Sequence, residues 1–99
     1  MLDTSFERAA DSLAEVRTSH RPLESFPDEA MPGSVEDAYG IQDVLVTKLG
    51  GRFVGWKIGC TSKMAQKSTN TDQPFYGRMF AETTHVSPGE VSFENVFAP

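Results

Sequence analysis

The stretch GWKIGCTSK, Gly55 to Lys63, places a lysine between two glycines inside what reads as a strand. Side chains alternate across a strand, so Val54, Trp56, Ile58 and Cys60 share one face. Phe53, Gly55, Lys57 and Gly59 then share the other. Glycine weakens a strand and marks places where a ligand or another backbone comes close. A cation standing above two bare backbone positions is an anchor for an anionic substrate. If Lys57 is partly desolvated its pKa falls, which suits it to proton transfer. The plainer reading stands beside this one: lysine on an exposed strand face is common and discourages edge-to-edge pairing.

Other residues offer weaker chemistry. Asp72 sits in a loop, where aspartate forms turns and less often serves as acid or base. Tyr76 and Phe80 line a pocket or fill a core. Trp56 is expected in the core beneath the second helix, and Cys60 as a small buried hydrophobe rather than a nucleophile. Lys63 and Lys67 read as one solvated helix face, and Arg78 as half of a surface ion pair. A single cysteine excludes an internal disulfide and a thiolate zinc cluster. His20 and His85 stand in no ligand-spaced motif, so no metal site is expected from spacing alone.

The chain has 99 residues, one domain's worth at most, and a formal net charge of −5. That balance argues against nucleic acid or an anionic membrane as partner, since either requires a basic face. The opening MLDTSFERAADSLAEV carries four acidic residues, which fits neither a secretory signal nor a transit peptide. A cytoplasmic protein is expected.

The elements that must position these residues follow from periodicity. Phe6, Ala9, Ala10, Leu13 and Val16 predict a helix from about Thr4 to Thr18. Residues 21–33 hold Pro22, Pro27 and Pro32 and predict an extended connector. Ser34 reads as the N-cap of a second helix, with Glu36 and Asp37 favourable in its first turn. Val35, Ala38, Tyr39, Gln42, Leu45, Val46 and Leu49 form its expected buried face, and Gly50-Gly51 its stop. Residues 51–99 read as strands and loops. TSKMAQKST is a short helix opened by Thr61 or Ser62, NTDQPFYG a loop, and RMFA a short strand. Ser87-Pro88-Gly89-Glu90 has the order of a type II turn joining two strands. Helix, helix, then short strands predicts α+β. The stop at NVFAP, just after an expected strand, is an awkward place for a domain to end.

AYGIQ (Ala38 to Gln42), VGWKIGCTSKMAQ (Val54 to Gln66) and DQPFYGRMFA (Asp72 to Ala81) occur in that order. Together they resemble the N-terminal part of the 2-keto-4-pentenoate hydratases. These group with the 4-oxalocrotonate decarboxylases and, more distantly, the fumarylacetoacetate hydrolases. The resemblance implies a mixed β-roll fold and addition of water to 2-hydroxypenta-2,4-dienoate in aromatic-compound catabolism. It implies Mg²⁺ or Mn²⁺ as a Lewis acid in the full-length enzyme, and a homo-oligomer there. It places Lys57 in the active site, with Asp72 as a weaker catalytic candidate. Gly55, Gly59, Tyr76, Gly77 and Phe80 are the implied substrate contacts.

Two departures qualify the resemblance. Phe75 stands where many members carry an aspartate. The metal-binding carboxylates are expected beyond the position that matches Pro99, and Glu90 and Glu94 have neither the place nor the spacing. The chain is therefore expected to be an N-terminal fragment that binds no metal and has no activity alone. A noncatalytic assembly module is the alternative from another class, and a related 2-oxo-acid decarboxylase or acylpyruvate hydrolase is the alternative among enzymes.

Overall fold

The computed structural model describes residues 4–95. Met1–Asp3 and the terminal residues 96–99, where the expected abrupt end falls, lie outside the described residues. The order is α1 (Thr4–Ser19), a 3₁₀ turn (Asp28–Ala30), α2 (Val35–Leu49), β1 (Phe53–Gly59), α3 (Lys63–Ser68), β2 (Phe75–Phe80) and two further 3₁₀ turns. The architecture is α+β, as the element order predicts. The chain's contacts fall into two compact units, Gly51–Gly89 being one and the residues before and after it the other.

In the helical unit, α1 buries Ala9 and Ala10 completely, and Phe6 and Leu13 pack around them. Ser34 caps α2, its side chain accepting a hydrogen bond from the Asp37 amide at 3.0 Å. Gly50 ends α2 in the left-handed region, at φ 68° and ψ 23°. Both ends follow local chemistry: an oxygen to satisfy free amides at one, a residue without a Cβ at the other.

The expected extended connector is interrupted. Its 3₁₀ turn carries Ala30 into the core, 1% exposed. The expected buried face of α2 also needs correction. Ile41 and Val44 are the buried positions, with Leu45 partly covered, while Val35 is exposed. Apolar residues run most of the way round this helix, so periodicity leaves its orientation open. The side on which α1 packs decides it. On that stripe Lys48 Nζ reaches Glu7 Oε2 and Asp11 Oδ1 of α1, each at 2.8 Å.

Gly40 explains how closely the two helices meet. A Cβ there would lie 2.6 Å from Phe6 Cε2, well inside van der Waals contact, so the Phe6 ring occupies the space that a larger residue would take. The core is built of small residues, and the buried alanines and this glycine let the helices approach.

In the second unit β1 and β2 pair antiparallel, with Trp56 opposite Arg78, Lys57 opposite Gly77 and Gly59 opposite Phe75. β2 begins at Phe75, earlier than the expected RMFA strand, so the expected loop loses its last three residues to the sheet. The register slips between Phe53 and Gly55, leaving one extra residue on β1. Beyond β2, Glu82 accepts the Arg52 amide at 3.1 and 3.2 Å, and the Ala81 amide donates to the Arg52 carbonyl at 2.9 Å. These bonds tie the start of β1 to the end of β2.

The expected type II turn at Ser87–Glu90 does not form, because Gly89 lacks the positive φ that such a turn needs at its third position. The Ser87–Pro88 peptide is cis. Among the described residues no strand follows it, only a 3₁₀ turn at Phe93–Asn95. No helix among them is long and apolar enough to cross a membrane.

Candidate functional site

Lys57 projects from the face of β1 that carries Gly55 and Gly59, and across the ladder it faces Gly77. The position a Cβ at residue 77 would take lies 3.2 Å from Lys57 Cε and 3.7 Å from Cγ. The lysine stem therefore lies across Gly77, and the ammonium is carried beyond it. A Cβ at Gly55 or at Gly59 would meet nothing within 4 Å. The unit's own packing does not require glycine at either position, and both leave open backbone beside the lysine.

Two residues not chosen from sequence complete this face. Phe75 stands opposite Gly59, and Met79 opposite Gly55. Both are partly buried. The signal for both is strand alternation on β2: Met79 lies within the expected RMFA strand, while Phe75 falls in the stretch that reads as a loop. Lys57 itself is exposed, and among the described residues no carboxylate pairs with it.

Tyr76 and Phe80 lie on the opposite face from Lys57. Tyr76 pairs with Ile58 and meets the Trp56 ring edge-on at 5.6 Å between centroids. Phe80 pairs with Phe53. Phe53 was expected beside Lys57, but the extra residue at the bulge turns it over, and its ring meets Trp56 at 5.3 Å. The Arg78 guanidinium stands 5.4 Å from the Trp56 ring centre, a cation–π contact. Trp56 is not the expected core residue, since about half its surface (51%) remains exposed on this two-stranded ladder. So Lys57, Gly55, Gly59 and Gly77 come together, and Tyr76 and Phe80 do not join them. Asp72 is exposed in the loop that leads into β2.

The turn after β1 is held by polar contacts. Cys60 adopts φ 58°, and its carbonyl accepts from Nε2 of Gln66, the one buried polar side chain among the described residues, at 3.1 Å. Ser62 caps α3 by accepting the Ala65 amide at 3.1 Å. Cys60 is not the expected buried hydrophobe: it is partly exposed, with Sγ 3.3 Å from Thr69 Oγ1. These contacts fix where β1 ends, and with it the position of Gly59.

Among the described residues no group of three His, Cys, Asp or Glu side chains could hold a metal ion. The donor set implied for Mg²⁺ or Mn²⁺ is not found in them. The helical unit contains an apolar hollow of about 330 Å³ lined by Leu13, Phe26, Met31, Ala38 and Ile41 with their neighbours, and it includes none of the candidate residues.

No family model matches the chain, and no solved structure matches it significantly. Curated proteins do. A 2-keto-4-pentenoate hydratase of Paraburkholderia xenovorans is 38% identical over 77 residues, 75% of this chain and 29% of that protein. The TodF product hydratase of Pseudomonas putida is 33% identical over 95 residues, 93% of this chain and 35% of its own length. A 2-keto-4-pentenoate hydratase of Burkholderia vietnamiensis is 36% identical over 86 residues, 84% of this chain and 33% of that protein. The chain spans about a third of the length of the curated relatives it matches. By sequence, the chain is kin to the 2-keto-4-pentenoate hydratases over most of its own length and a third of theirs.

Proposed function

We propose that this sequence supplies the lysine-bearing strand of a hydratase that adds water to a 2-hydroxydienoate, with 2-hydroxypenta-2,4-dienoate as the type substrate. The observation that carries the reading is Lys57, a cation without a carboxylate partner among the described residues, set between glycines whose Cβ positions are open. The names of the relatives supply the reaction class. In this reading the Lys57 ammonium holds the substrate carboxylate, and the glycines let the planar diene lie close to the backbone. Ketonisation moves the enol proton off O2 and places a proton on C5, giving a 2-oxo-3-enoate. Water then adds hydroxide at C4 and a proton at C3, giving 4-hydroxy-2-oxopentanoate. Lys57 assists the first of these transfers, with Asp72 as the weaker acid–base candidate.

The whole enzyme takes the mixed β-roll of the fumarylacetoacetate hydrolase superfamily and acts on a small-molecule acid. No step is assigned to a divalent ion. The test is Lys57→Met in the polypeptide expressed from its own locus, followed by loss of dienoate absorbance. Turnover falls at least about a hundredfold if Lys57 takes part in proton transfer. Near-normal kinetics would sink the assignment.

A further inference from the structure

The face that carries Lys57 is not uniformly polar. Along β1 it presents Gly55, Lys57 and Gly59, and along β2 Met79, Gly77 and Phe75. Lys57 thus holds the central position, with one apolar residue diagonally to each side. Each of these side chains faces a bare glycine across the ladder. Phe75 and Met79 therefore flank the lysine position at the two ends of this face, and no atom of either comes within 4 Å of the Cβ position at Gly59 or Gly55. The two walls are not equivalent. A phenyl ring is planar and rotates about two bonds, whereas methionine is flexible and moulds itself to whatever it meets. Met79 also lies next to the slip in register, and Phe75 stands in the regular part of the ladder.

We propose that Phe75 is a specificity-determining residue: the apolar end of an anion held by Lys57 lies over Gly59 against the Phe75 ring. This rests on the reading of Lys57 as an anion anchor. It assigns the preferred ligand class as 2-oxo or 2-hydroxydienoic acids whose far end is a flat apolar group rather than a methyl or a second carboxylate. A second carboxylate would meet an apolar ring there, and would lose water without gaining a partner from it. A flat apolar end gains an offset or edge-on ring contact, an advantage of about threefold to tenfold in affinity.

The test uses two 2-oxo acids that differ only in their far ends, pyruvate and 2-oxo-4-phenylbutanoate. Each is titrated into the full chain while the amide resonances of Gly55, Gly59 and Gly77 are followed by NMR. The phenyl acid is expected to bind about threefold to tenfold more tightly than pyruvate. In Phe75→Ala that preference shrinks to less than about twofold while pyruvate affinity holds. Phe75→Leu, which keeps apolar bulk at the strand end, guards against a folding artefact and also loses most of the preference. Lys57→Met weakens both acids together. Binding of both acids with an unchanged ratio in the Phe75 variants overturns the role of Phe75 and leaves the anion anchor standing. Absence of any shift at the three glycines with either acid overturns the anchor and the inference together.

Discussion

Replacing Gly40 with alanine tests the close approach of α1 and α2. Two opposed effects are calculable. Alanine in a helix interior is favoured over glycine by about 1 kcal/mol. Against that, the new Cβ would lie 2.6 Å from Phe6 Cε2, 3.2 Å from Cδ2 and 3.3 Å from Cζ. Carbon atoms rest at about 3.5–4.0 Å, so the ring must withdraw by about 1 Å. Phe6 is partly buried against the core that holds Ala9, Ala10, Ile41 and Val44, so withdrawing the ring gives up part of that contact. Overpacking of this kind costs about 1–3 kcal/mol. The net expectation is a loss of up to about 2 kcal/mol, in place of the gain that propensity alone dictates. Urea denaturation followed by circular dichroism at the helix band measures it. The decisive comparison is the same substitution in a Phe6→Leu background. There the clash is gone, and Gly40→Ala stabilises by about 1 kcal/mol, giving a coupling of about 1–3 kcal/mol between the two sites. Equal effects in both backgrounds would refute the argument.

Further outcomes follow from the same geometry. Gly50→Ala meets nothing within 4 Å, so its cost is that of the left-handed backbone alone, about 1–2 kcal/mol in the same urea assay. Glu82 has its carboxyl pKa lowered from the usual 4.5, chiefly by its own backbone amide and next by that of Arg52. A lowered carboxyl stabilises above its ordinary pKa, and that contribution fades as pH falls through the folded value. Glu82→Gln should therefore flatten the acid limb of the melting temperature against pH, and an unchanged limb would contradict this. Lys48 is shifted the other way, raised above 10.5 by its bonds to Asp11 and Glu7. Its contribution is complete below 10.5 and is lost as pH climbs through the raised value. The pair is also screened by salt. Lys48→Met should melt lower than the parent at low ionic strength, and the gap should narrow in about 1 M salt.

What the sequence by itself determined is the set of features written within a few consecutive residues. Ser34 and Ser62 cap helices because each oxygen reaches an amide three positions on. Gly50 stops α2 because the left-handed conformation suits a residue without a Cβ. That Lys57 shares a face with Gly55 and Gly59 was likewise legible, because alternation along one strand needs no partner. The motifs that resemble the hydratases were legible on the same terms.

The tertiary structure decided the rest. Gly77 meets the lysine stem, and Phe75 and Met79 border it, through pairing between segments that are not neighbours in sequence. The single extra residue between Phe53 and Gly55 sends Phe53 to the Trp56 face, because the side-chain period of a strand is two and one insertion reverses it. The buried face of α2 depended on where α1 lies, since apolar residues surround much of that helix. Gly40 beneath Phe6 is a fact about two helices, not one. Local rules fix ends and alternation; register, bulges and helix orientation come from contacts between distant segments, which no local period encodes.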